Sequence, residues 1–255
     1  MRPGAFLALA ALLVGGAAAA DPLKDEAISR LVASHDPAIP IAIGRVYVKQ
    51  AGLEAARELL AERGKAAQAG NQWGPQAPEW QAAEARLTGI VDAIIRRDVE
   101  DPAWLRAAWS NEAQRVLSAE EADEIASHFA TASGREQREV VELLVVGETL
   151  MATYTFTDRI RYGVKGSERE IAGLQKLWWD REPFRVRDFT NDPGSVRFAG
   201  LDPGVKYCKM LAIQGIERIN QHYEGVVREV HDALQQAGGE IDPYLLQFRR
   251  RMQTN

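Results

Sequence analysis

The stretch Glu79-Trp80-Gln81-Ala82-Ala83-Glu84-Ala85-Arg86-Leu87-Thr88-Gly89-Ile90-Val91-Asp92-Ala93-Ile94-Ile95-Arg96-Arg97 places Leu87, Ile90, Val91, Ile94 and Ile95 at steps of three and four. Such steps draw one apolar stripe down a helix of 3.6 residues per turn, whereas a half-buried strand would alternate every second residue. The same spacing recurs on both sides. Residues 53–67 carry Leu53, Ala56, Leu59, Leu60 and Ala67, and residues 135–157 carry Val140, Val141, Leu143, Leu144 and Val145. Shorter helices are predicted over 22–34, 102–116 and 119–132, a long one over 203–237, and a terminal one after Asp242. The expected fold is all-α, a compact bundle of about eight helices, with 21–255 as one domain and 21–78 as its looser part.

Punctuation supports these boundaries. Six prolines follow aspartate, at Asp21, Asp36, Asp101, Asp192, Asp202 and Asp242. The carboxylate can accept from the free N–H groups of a first turn, and proline fits the first helical position. Asp36-Pro37 and Asp192-Pro193 are not followed by a clear stripe and are read as turns. Ser118 with Glu121 forms a capping-box pattern. Gly134 and Gly238-Gly239 are read as helix stops. Strand signals are confined to the β-branched run Ile39–Val48 and to Phe184–Arg187, enough for at most one small β-hairpin. Residues 68–78, rich in Gly and Pro, are the expected linker, and 158–201 a second irregular stretch.

The first 20 residues supply an address. Met1-Arg2 precedes an apolar run from Ala5 to Val14, and Ala18-Ala19-Ala20 has the small-x-small pattern of a cleavage site before Asp21. The run is too short to span a bilayer. A cleaved signal peptide over 1–20 and a soluble mature chain are expected, and the Ala-, Arg- and Gly-rich composition favours a bacterial periplasm or secretion. The chain of 255 residues has 31 basic and 36 acidic side chains. That acidic balance argues against general nucleic-acid binding. With Cys208 as the only cysteine, no intrachain disulfide can form, and its helical spacing from Leu211 and Ala212 suggests a buried small hydrophobe.

The segment from Leu117-Ser118-Ala119-Glu120-Glu121 to Phe129-Ala130-Thr131-Ala132-Ser133-Gly134-Arg135 resembles a family of exported bacterial helical proteins, domain-of-unknown-function family 2059. The likeness covers about residues 105–150. It carries a capped acidic helix ending in an aromatic, then a small-residue junction and a new helix. His128 stands where a second aromatic would be expected in that family. The resemblance implies an exported helical module and no chemistry.

Motif by motif, no phosphate loop, Gly-x-Ser-x-Gly elbow, His-Glu-x-x-His or Cys-x-x-Cys is present, and no cofactor or metal site is expected. His35 beside Asp36-Pro37 is read as solvated. His128 lies four residues after Glu124, a spacing that suits a solvated pair or a proton-transfer pair. His222 points toward the apolar stripe of its helix, where it would need a partner. Thirty-six acidic residues make some hydrolytic carboxylate pair conceivable, but none sits in a signature context.

The stretch with the strongest binding signal is Trp178-Trp179-Asp180-Arg181-Glu182-Pro183-Phe184-Arg185-Val186-Arg187-Asp188-Phe189, which lacks an evident helical period. Trp178, Trp179, Arg181, Arg185 and Arg187 are the candidate binding residues. Arginine offers a planar fork to carboxylate or phosphate, and tryptophan a flat face to sugar or cation. Core anchoring by the two tryptophans is the competing reading. The basic tail Phe248-Arg249-Arg250-Arg251 suits a helix C-terminus. The expected function is that of an exported, non-enzymatic helical interaction protein of the cell envelope, with an envelope protein or anionic glycan as partner. The alternatives are a hydrolase or lyase of cell-wall or secreted polymer using acidic residues with His128 or His222, and an oligomeric structural component.

Overall fold

The computed structural model describes residues 21–148, 165–185, 206–208 and 210–254. Within them lie α1 (Pro22–Ala33), α2 (Ala38–Ala66), α3 (Pro78–Ile94), α4 (Ala103–Val116), α5 (Ala119–Ala130), α6 (Ala132–Val141), α7 (Glu168–Arg185), α8 (Ile216–Gln236) and α9 (Asp242–Thr254). Wider π-helical turns continue α3 over Ile95–Val99 and α6 over Glu142–Glu148, and lead into α8 over Met210–Gly215. No strand occurs among the described residues, so the protein is all-α as expected. The signal-like segment 1–20, the second half of the 135–157 stretch and the Asp192-Pro193 and Asp202-Pro203 pairs lie outside the described residues.

The helix starts follow the sequence signals. Asp21 accepts from Leu23 N at 3.1 Å, and Asp101 accepts from Ala103 N at 2.9 Å. The Ser118–Glu121 capping box closes in both directions, at 3.1 and 2.8 Å. Asp36 corrects the turn reading, because its carboxylate accepts from Ala38 N at 2.9 Å and starts α2, the longest helix among the described residues. Gly134 is also corrected. It sits in the first turn of α6, where its N–H is taken by Thr131 Oγ1 at 3.0 Å. A Cβ there would come within 1.9 Å of the His128 carbonyl oxygen, so the α5–α6 corner needs glycine for close approach.

Helix α2 runs through Ile39–Val48, where strand character and a break before residue 53 were expected. The physical reason is its position. It packs against α3, α7 and α8, so apolar residues occur around much of its circumference and no single stripe emerges. Ile43, Val46, Val48, Ala56 and Leu60 are fully buried, and β-branched residues are tolerated because tertiary packing outweighs their small helix penalty. Glycines let the neighbours approach. At Gly44 a Cβ would lie 2.3 Å from the ring of Tyr223, whose hydroxyl donates to Pro40 O at 2.5 Å.

The expected linker 68–78 is a packed corner. Trp73 is buried there, donates from Nε1 to Leu60 O at 2.9 Å, and meets Trp80 and Phe248 edge-on at 5.5 and 5.3 Å. The basic tail is held as well, since Arg251 grips buried Glu79 through two hydrogen bonds of 2.8 and 2.9 Å. This fork joins α9 to the start of α3.

Two predictions follow from this packing. Gly44→Ala should destabilise the protein by about 1–3 kcal/mol through overpacking, while Gly89→Ala, with nothing within 4 Å of the new methyl, should stabilise by roughly 0.5–1 kcal/mol. Urea unfolding of both variants checks the opposite signs. The Arg251 hydrogen bonds outweigh the opposing effect of desolvation and hold the Glu79 carboxyl below its usual range. Their contribution is present above the unfolded carboxyl pKa of about 4.3 and is lost as pH falls through the lower folded value. Glu79→Gln should therefore flatten the acid limb of the stability–pH curve measured by chemical denaturation.

Candidate functional site

A gathering of buried polar groups lies where the α1–α2 turn, the π turn Glu142–Glu148 and the segment Lys206–Cys208 meet. His35 is buried, which corrects its expected solvated place. Its Nδ1 lies 2.7 Å from Glu142 Oε1, and its Nε2 bonds the hydroxyl of fully buried Tyr207. Trp109 covers the imidazole with ring centroids 4.6 Å apart, and Phe129 meets Tyr207 edge-on at 5.5 Å. Arg138 Nε stands 3.7 Å from Glu142 Oε1 and adds positive charge to the carboxylate.

These positions assign the hydrogens. A carboxylate only accepts, so Nδ1 donates to Glu142. In the neutral imidazole Nε2 then accepts from Tyr207, whose hydroxyl is available as a donor. Burial first, and nearby Glu142 and Cys208 next, push that hydroxyl well above its ordinary pKa range. Acid, imidazole and hydroxyl in this order form the chain that activates a nucleophile in many enzymes. Here it is closed. Tyr207 is 0 % exposed, and the cavity beside Glu142 encloses about 10 Å³, too little for any polymer. The chain fastens three sequence-distant segments.

The other histidines are also engaged. His222 Nε2 lies 2.7 Å from Asp98 O, and its ring stacks on Trp104 at 3.8 Å. It is the partly buried, satisfied histidine anticipated from its helix position, with its partner supplied by the π turn after α3. His128 Nε2 is 2.7 Å from Gln137 Oε1 across the α5–α6 corner. Cys208 is half-buried, and burial raises its thiol pKa.

The tryptophan–arginine stretch is helical through Arg185 and so differs from the irregular segment expected. Successive helix positions turn by about 100°, which separates its two tryptophans. Trp178 is partly buried against the core, with a ring atom 3.0 Å from where a Cβ of Gly147 would stand. Trp179 is 68 % exposed. By register, positions 181 and 185 continue the stripe of buried Leu174 and partly buried Trp178, away from Trp179. Arg187 lies outside the described residues. Lys176 and Asp180 form an exposed pair at 2.5 Å one turn apart, next to Trp179.

Among the described residues, no group of three or more His, Cys, Asp or Glu side chains is placed to share a metal ion, and no helix is long and apolar enough to cross a membrane. No protein-family model, curated protein or solved structure matches the chain.

The polar contacts of this region differ in worth. Glu142→Ala leaves the buried His35 Nδ1–H without its acceptor and should cost about 1–3 kcal/mol. Asp180→Ala opens only an exposed pair and should cost less than about 0.5 kcal/mol. Thermal and urea unfolding of the two variants measures the contrast.

Proposed function

We propose that the protein is an exported helical binding protein of a bacterial envelope, which anchors its partner on the outer face of α7 through Trp179. The observation that carries this reading is the exposure of Trp179, a large aromatic at 68 %, on a helix whose opposite side is pinned to the core by Leu174 and Trp178. A rigid, amphipathic ring presented this way offers contact area at low entropic cost, and tryptophan is enriched among residues that dominate binding energy. The Lys176–Asp180 pair supplies a polar rim. The flat indole face suits an envelope glycan or a surface of an envelope protein as the partner. The signal-like segment 1–20 and the resemblance of about 105–150 to an exported helical family support the location.

The closed chain of Glu142, His35 and Tyr207 acts in this reading as a fastener, which seats the π turn against which Trp178 packs. It is given no catalytic step.

The test uses the mature chain, residues 21–255, immobilised and exposed to purified peptidoglycan and to envelope extract, beside Trp179→Ala with unchanged circular dichroism. Retention by the wild type, weakened at least tenfold in the variant as removal of an anchoring aromatic requires (about 1.4 kcal/mol or more), is the expected result. Equal retention by both proteins, or retention by neither, overturns the proposal.

A further inference from the structure

We infer that the cavity beside Glu142 is a binding site for one internal water molecule, which completes the coordination of the buried carboxylate. Glu142 is 5 % exposed, and its two oxygens are treated unequally. Oε1 receives His35 Nδ1 at 2.7 Å and faces Arg138 Nε at 3.7 Å. Oε2 is buried and has no hydrogen-bond partner in the protein. A buried carboxylate oxygen without a donor carries a full desolvation cost, so native proteins satisfy such atoms from a side chain, the backbone or water.

The cavity has the size for that donor. It is lined by Asp36, Ile39, Pro40, Trp109, Glu142 and Val146 and encloses about 10 Å³, roughly what the centre of one water-sized sphere needs. Its wall is mostly apolar, from Ile39, Pro40, Trp109 and Val146, and its polar groups come from Glu142 and Asp36. Apolar cavities stay dry, and a retained water needs two or more polar partners. Glu142 and Asp36 are the two carboxyl-bearing residues in its lining, one on the π turn after α6 and the other at the start of α2. A water has two hydrogens to donate and carboxylates only accept. The site therefore ties the cap of α2 to the π turn through solvent, parallel to the direct His35–Glu142 bond.

A rise in stability on one substitution excludes a wet site, while overpacking by itself also lowers stability, so a crystal structure supplies the positive readout. Val146→Ile adds a methylene at the cavity wall. Filling a dry apolar cavity would stabilise the protein. Expelling a water would leave Oε2 unsatisfied, and the folded-to-unfolded ratio should fall about tenfold in urea unfolding at neutral pH. A rise in that ratio overturns the inference. A high-resolution crystal structure of the unaltered mature protein provides a readout independent of the variant. A water within hydrogen-bond distance of Glu142 Oε2 supports the site, and an empty cavity, or a protein donor moved onto Oε2, overturns it.

Discussion

One imidazole held between a carboxylate and a phenol organises this molecule. His35 stands in the short turn between α1 and α2, Glu142 107 residues away, and Tyr207 172 residues away. Each is buried, so each polar atom must find its partner inside the protein or carry a desolvation cost. The arrangement is worth less as net attraction than as constraint. Removing one member strands the others, and alternatives that separate the three segments are penalised heavily. The π turn Glu142–Glu148 fits this demand, because a wider turn shifts the register of side chains leaving a helix and is often kept where a particular residue must be aimed.

The neighbouring elements depend on that junction. Gly147 in the same π turn admits the ring of Trp178, which seats α7 against the bundle. Trp179 follows by one helical step and is turned toward solvent. A buried polar chain, a glycine contact and a helix register thus connect the interior to the exposed aromatic on which the proposed binding rests. Elsewhere the bundle is joined by partly buried ion pairs of similar logic. Glu112 is held by Arg115 and Arg218, and Glu79 by Arg251, so α4 is tied to α8 and α3 to α9.

The all-α class was legible because local signals suffice for it. The stripe in 79–97, the Asp21 and Asp101 caps and the Ser118–Glu121 box are interactions within one or two turns, and all are realised. Helix α2 was not legible as one element, since a helix buried on several sides loses the contrast that periodicity measures. Asp36-Pro37 then read as a turn without a helix behind it. His35 was missed for a related reason. Its partners come from distant segments, and its neighbours Asp36 and Pro37 suggest solvent. One signal was present in the letters: Leu31, His35, Ile39 and Ile43 recur at steps of four, which carries an apolar stripe through the histidine. The Trp178–Arg187 stretch shows the converse. Its composition singled out an exposed aromatic, but reading it as irregular gathered residues onto one surface that helix register divides between two.

The most direct test of this account is a double-mutant cycle on His35→Phe and Tyr207→Phe, measured by urea unfolding at neutral pH. If the imidazole and phenol form one interior unit, the two changes are strongly non-additive, with a coupling of about 1–2 kcal/mol. Additivity to within about 0.5 kcal/mol would show that the two side chains are independent and would contradict the account.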